Sequence, residues 1–342
     1  MAKENILITG GAGFIGSHLC ERLLKKYNVV CLDNFSTGSE KNINHLVQFP
    51  NFEFIKQDLS LISPPYQGGV RGGLDLEKMP ELSNFQINVK GFYAIFNLAC
   101  PTSAKNFEKY KIATLDANCG AMKNVMELVK KYKSKFVHLS TSVVYGGRDR
   151  QKGKVKETEE GTVNHLSPRG CYDEGKRFAE TMVATYHQVH KTDYKIARVF
   201  RTYGPRQRLF DGEMIPDFVV DAAQNKDLVI YGDESFGTSL IYASDVVDAL
   251  EKLMNAKSDI GPVNIGSDVD TKLLSIAKKI IELTGSKSRI VHKKELPFIT
   301  ELAIPDIKKA KDALGWMPLV RLEDGLKKTI DYTLAHKELL GI

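Results

Sequence analysis

The chain has no run of about 18 apolar residues, so it offers no membrane-spanning helix. Its opening Met-Ala-Lys-Glu-Asn lacks an apolar targeting core. Only five cysteines occur among 342 residues, at positions 20, 31, 100, 119 and 171. The number is odd and no Cys-x-x-Cys pair exists, which excludes a disulfide framework and a zinc ribbon. His18, His45 and His138 are scattered without ligand spacing, so no metal site is expected. Charged residues make up 26% and apolar ones 42%, which excludes a disordered, collagenous or coiled-coil chain. The formal net charge of +6 is spread along the sequence. No lysine/arginine stripe is interleaved with aromatics, so neither nucleic acid nor membrane is an expected partner. What remains is a soluble protein of a reducing, cytoplasmic compartment, with about two domains at roughly 150 residues each.

Within those bounds, strand-like and helix-like patterns alternate over the first 200 residues. Short apolar runs at 5–9, 28–33, 52–58, 94–99, 135–142 and 195–200 read as buried strands. Helical periodicity follows the first run and recurs at 112–132 and 172–190. Near-continuous apolar strands separated by helices predict an α/β chain with a Rossmann-type, doubly wound parallel sheet. After residue 200, strands at 228–231 and 262–265 alternate with helices near 244–255, 273–284, 306–314 and 322–335. This predicts a nucleotide-binding lobe over 1–200. Residues 201–342 then form mainly a smaller α/β substrate lobe, with some segments returning to the first. Residues 63–73 hold two prolines and four glycines, so an exposed loop is expected there, read as a surface insertion without assigned function.

The first strand runs into Thr9-Gly-Gly-Ala-Gly-Phe-Ile-Gly16. Gly11, Gly13 and Gly16 satisfy G-x-G-x-x-G, and Gly10, Gly13 and Gly16 satisfy G-x-x-G-x-x-G. Such a turn brings a pyrophosphate against bare backbone at a helix N-terminus, here Phe14-Ile15-Gly16. Asp33 ends the second strand 20 residues after Gly13. A carboxylate there accepts from the adenosine 2′-OH and repels a 2′-phosphate, so the expected cofactor is NAD rather than NADP. Asp58 is expected to bound the adenine pocket.

Tyr172 and Lys176 are four residues apart and therefore on one helix face. A tyrosine, with an ordinary pKa of about 10, becomes a competent base when a lysine and a nicotinamide cation stabilise its phenolate. The fifth strand ends in Ser140-Thr141-Ser142, where an open α/β sheet binds its ligands. Thr141 is the candidate partner for the substrate hydroxyl that Tyr172 deprotonates.

On these stretches the chain resembles the extended short-chain dehydrogenase/reductase family, in its UDP-glucuronate decarboxylase branch. Leu98-Ala-Cys-Pro-Thr-Ser103 and Arg169-Gly-Cys-Tyr-Asp-Glu-Gly-Lys-Arg177 carry the branch likeness. Asp33-Asn-Phe-Ser-Thr-Gly38, Thr202-Tyr-Gly-Pro-Arg206 and Leu314-Gly-Trp316 are shared more widely. The resemblance implies an NAD-dependent enzyme acting on a UDP-linked sugar through a 4-ketone. Its catalytic residues would be Tyr172, Lys176 and Thr141. Asn34, Asp58, Leu59 and Leu98 would join the cofactor residues, and Ser103, Ser142, Arg169, Arg201 and Arg206 would meet substrate. A homodimer is implied too, with the C-terminal helix as one support for it. The branch has glutamate where this chain has Val143, asparagine at Arg201, arginine at Thr238 and arginines just before Pro305. A 4-epimerase needs only the Thr141, Tyr172 and Lys176 set and is the alternative reaction. A non-catalytic NAD-binding scaffold or regulator is the alternative of another class.

Overall fold

The computed structural model describes residues 3–61, 90–102, 107–149, 151, 153–232, 235–257, 259–294 and 301–336. The expected loop at 63–73 and the candidate Ser103 lie outside the described residues. Seven parallel strands form the central sheet: β1 (Asn5–Thr9), β2 (Asn28–Asp33), β3 (Phe52–Lys56), β4 (Ala94–Asn97), β5 (Lys135–Thr141), β6 (Lys195–Val199) and β7 (Gly261–Ile265). Their order across the sheet is β7-β6-β5-β4-β1-β2-β3. The chain thus winds outward in both directions from β1 and β4, and the crevice at their carboxyl ends is where such sheets bind ligands.

Strands β1, β2 and β4 are buried along almost their whole length because both faces of the sheet are covered. Ile6 and Ile8 of β1 face α1 (Phe14–Leu23) and, further along the chain, α6 (Ala243–Asn255), meeting Leu19, Leu23, Val246 and Leu250. Leu7 points the other way, onto α3 (Gly120–Tyr132) and α4 (Gly170–His190), into a core with Met122, Val125, Ala179 and Val183. The single helix expected over 112–132 is two, α2 (Phe107–Asn118) and α3, parted at Cys119. The next residue is Gly120, a poor helix former. The Asn118 amide, instead of facing solvent, donates to the Thr114 carbonyl at 2.8 Å and to Cys100 Sγ at 3.3 Å.

A second core gathers α5 (Met214–Ala223), α7 (Leu273–Thr284) and α9 (Leu322–Ala335) around Tyr203, Phe218, Leu228, Ile276 and Leu326. It includes a parallel pair, Leu228–Tyr231 with Ile290–Lys293. On the α1 and α6 side of the sheet, α8 (Lys308–Leu314) leads to Trp316, buried in that core, whose indole N–H donates to the Asp245 carbonyl at 3.0 Å. Strand β7 pairs in parallel with β6, Val263 opposite Ala197, so residues after 200 also build the central sheet. Among the described residues no helix is long and apolar enough to cross a membrane.

Candidate active site

A single open cavity of about 1330 Å³ runs from the carboxyl ends of β1 and β2, past β5 and α4, to the second core. The glycine turn forms its floor. Gly10 has φ +69, and a Cβ there would lie 2.7 Å from the Ala99 nitrogen. At Gly16 a Cβ would lie 2.1 Å from the Gly10 carbonyl oxygen. Gly13 meets only that oxygen, at 3.2 Å, and lines the cavity. These three positions define the turn. Gly11 instead covers the buried thiols of Cys20 and Cys31. Helix α1 then begins with no side chain capping its N–H groups and no acidic residue in its first turn. That is the environment a pyrophosphate needs.

Asp33 is buried at the edge of the same cavity. Its Oδ2 accepts from Ala12 N at 3.0 Å and its Oδ1 from Phe35 N at 2.8 Å, which aims the carboxylate while leaving lone pairs for ribose hydroxyls. Burial raises its pKa, against the pull of the Phe35 and Ala12 N–H groups. Asn34 donates to Asp58 Oδ2 at 2.7 Å. Burial would lift the Asp58 carboxyl, but bonds from Ser60 and Asn34 outweigh it and hold it low. Phe14, Ile15, Leu59 and Leu98 complete the apolar lining. The donor set fits NAD: bare glycine backbone, uncapped helix N–H groups and an anionic residue aimed at the ribose.

The catalytic candidates come together across the cavity. Helix α4 lies on β5, and Lys176, itself buried, donates from Nζ to the Leu139 carbonyl at 3.0 Å. One turn earlier, Tyr172 lines the cavity with Thr141, whose hydroxyl favours the phenolate form. Burial raises the phenol above its ordinary pKa, the Cys100 thiol adds to that, and the Thr141 hydroxyl and Arg169 oppose it. Thr141 also accepts from Val143 N at 3.4 Å as it caps the tight turn over Ser142–Tyr145. Behind Lys176 sits His138, fully buried. Burial and the lysine ammonium push its pKa well down, so it stays neutral. Asn97 Nδ2 donates to His138 Nδ1 at 3.3 Å and Asn97 Oδ1 accepts from Thr9 at 2.7 Å, tying β5 through β4 to β1.

The substrate candidates divide. Ser142, Arg169, Arg201 and Arg206 all line the cavity. Arg169 is tied to Asp173 at 3.4 Å, and Arg206 to Glu21 at 2.5 Å. Arg201 has no side-chain partner among the described residues. Val143 is buried, so the turn that follows Thr141 carries no acid there. Thr238 is buried at the far wall. Glu301, which stands where an arginine was expected, is held by Arg148 at 3.0 Å. Sequence reasoning missed Phe236, Tyr332 and His336, which also line the cavity. The tyrosine and histidine rings lie 4.3 Å apart at the end of α9. Their i, i+4 spacing was the only available signal.

Residues 6–266 match the model of the NAD dependent epimerase/dehydratase family. The chain belongs to that family. It is 36% identical to the UDP-glucuronic acid decarboxylase 1 of Xenopus tropicalis over 96% of this chain and 72% of that one. With the Danio rerio protein of the same name the identity is 37%, at the same coverage. Among solved structures, the UDP-glucuronic acid 4-epimerase of Bacillus cereus, in complex with UDP-glucuronic acid and NAD, superimposes with a TM-score of 0.81. It is 29% identical, covering 97% of this chain and 99% of that one. The chain's cofactor is therefore NAD.

Proposed function

We propose that the protein is a UDP-glucuronate decarboxylase working through a 4-keto sugar. The reading is carried by Tyr172, Thr141 and Lys176 lining one cavity with the glycine turn. Bound at the glycine turn, NAD would supply the hydride acceptor and then donor at C4, with no net redox change. Tyr172 takes the proton of the sugar 4-OH while Thr141 holds that oxygen. Lys176, one turn along α4, stabilises the phenolate and would hold the nicotinamide ribose. The 4-ketone leaves the 6-carboxylate β to a carbonyl. The C5–C6 bond then breaks to give CO2, its electrons pass to C5 and the ketone oxygen, and C5 takes up a proton. Similarity to the two vertebrate decarboxylases supports this outcome over others.

The buried Val143 supports a second reading, 4-epimerisation of the same UDP-uronate, in which the ketone rotates and no carbon is lost. Product analysis by NMR after incubation with UDP-glucuronate and catalytic NAD separates the two. CO2 with a UDP-pentose supports decarboxylation, and UDP-galacturonate alone supports epimerisation.

The same reading takes 1–200 as the cofactor lobe and 201–342 as mainly the substrate lobe. It places the protein in the cytoplasm, in keeping with five unpaired cysteines. It also takes the protein as a homodimer. Packed helices α2 and α4 leave Ile112, Leu115 and Phe178 exposed, a face that a second copy would cover. Sedimentation of wild type and Ile112→Lys tests that contact.

A further inference from the structure

His138 lies in the middle of β5, opposite Asn97 of β4 in the sheet register. Alternate residues of a strand share a face, so His138 points the same way as Phe136 and Ser140. That face meets α3 and α4: Phe136 packs with Met122 and Ala179, and Ser140 Oγ donates to Glu180 at 2.5 Å. Thr9 donates to Asn97 Oδ1 at 2.7 Å, which leaves the amide nitrogen facing His138 Nδ1, 3.3 Å away. The ring proton therefore sits on Nε2, and that nitrogen is buried with no hydrogen-bond partner among the described residues. An unmet buried N–H costs stability, so packing alone does not call for an imidazole here. The charged group that acts on the ring is Lys176 of α4, which helps to keep it neutral. Glu180, the acid one turn further along α4, is taken up by Ser140 and Arg198. Lys176 is itself buried, and its ammonium makes one hydrogen bond among the described residues, to the carbonyl of Leu139, the residue after His138. Three N–H donors in a dry site are poorly served by one carbonyl, and a neutral imidazole adds a dipole and a polarisable ring without adding charge.

We propose that His138 is a positioning residue for the oxidation at C4: its neutral ring backs the Lys176 ammonium and holds it where it supports the Tyr172 phenolate. The proposal rests on the UDP-uronate reading above, and on the step that decarboxylation and epimerisation share. The test is kcat, KM and the pH profile of kcat/KM for UDP-glucuronate, with melting curves, in NAD-loaded wild type, His138→Leu and His138→Gln. His138→Leu should melt close to wild type, keep KM within a few-fold and lower kcat about ten- to a hundredfold. The limb that reports the phenolate should move to higher pH, because an ammonium left with one carbonyl supports it less. His138→Gln keeps an uncharged dipole and should recover most of both. His138→Met replaces the leucine variant if that one does not fold, with the same shift expected. A folded leucine or methionine variant with the wild-type kcat and limb overturns the proposal alone. So does a fall in activity that comes with a lower melting temperature and an unmoved limb, the mark of a purely structural role. Wild type that converts UDP-glucuronate to neither a UDP-pentose nor UDP-galacturonate overturns both the proposal and the UDP-uronate reading.

Discussion

Lys176 Nζ donates to the carbonyl of Leu139 at 3.0 Å, two residues before Thr141 on the same strand. One buried ammonium thus locks α4 to β5 and stands a turn from the phenol it must stabilise. Removing a cation raises the pKa of a neighbouring phenol. The pH profile of kcat/KM should rise with pH as the phenolate forms, and Lys176→Met should move that limb to higher pH while lowering the plateau. A Lys176→Met profile with its limb unmoved would show that the ammonium does not act on Tyr172.

Tyr172→Phe removes the base and little else. Turnover should fall by about 10²–10⁴-fold, the usual share of a positioned acid–base group. NAD binding, followed by fluorescence quenching, should stay within a few-fold of wild type. Surviving activity would refute the assignment of Tyr172.

Burial raises the Asp33 carboxyl, so it protonates at higher pH than an ordinary aspartate. NAD affinity should therefore weaken on acidification while exposed carboxylates are still ionised, because the neutral acid is a poorer acceptor for the ribose. Asp33→Asn should lose this pH dependence and bind NAD about tenfold more weakly. It should also discriminate less against NADP. Titrations of both cofactors between pH 4.5 and 8 measure all three effects.

The glycines of the turn should respond differently to alanine. At Gly16 the new methyl meets backbone at 2.1 Å, so the turn must move, at a cost of about 1–3 kcal/mol, with loss of NAD binding. At Gly13 the nearest atom is 3.2 Å away and the methyl projects toward the cavity. Gly13→Ala should melt close to wild type yet bind NAD at least tenfold more weakly. Melting curves and NAD titrations of the two variants make the comparison.

Local signals made the sheet and cofactor turn legible from the sequence. The inner parallel strands are largely apolar, the glycines and Asp33 sit at fixed spacings at their ends, and Tyr172 and Lys176 lie one turn apart on α4. The break between α2 and α3 carries only a weak local signal, Gly120, and the Asn118 contact with Cys100 that accompanies it forms only on folding. The pairing of the arginines is legible only in part. Asp173 lies only four residues from Arg169, but Arg206 is tied to Glu21, 185 residues away, by a contact that no spacing announces. The neutrality of His138 likewise arises from burial against Lys176, a contact made by packing rather than by spacing.

The central claim is that C4 is oxidised, C6 leaves, and the same hydrogen returns to C4. Incubation of doubly labelled UDP-glucuronate, deuterated at C4 and 13C-labelled at C6, with catalytic NAD tests it directly by NMR. The account predicts 13C-labelled CO2 and UDP-xylose with deuterium at C4. Label retained at C6, in unchanged substrate or in UDP-galacturonate, would contradict it.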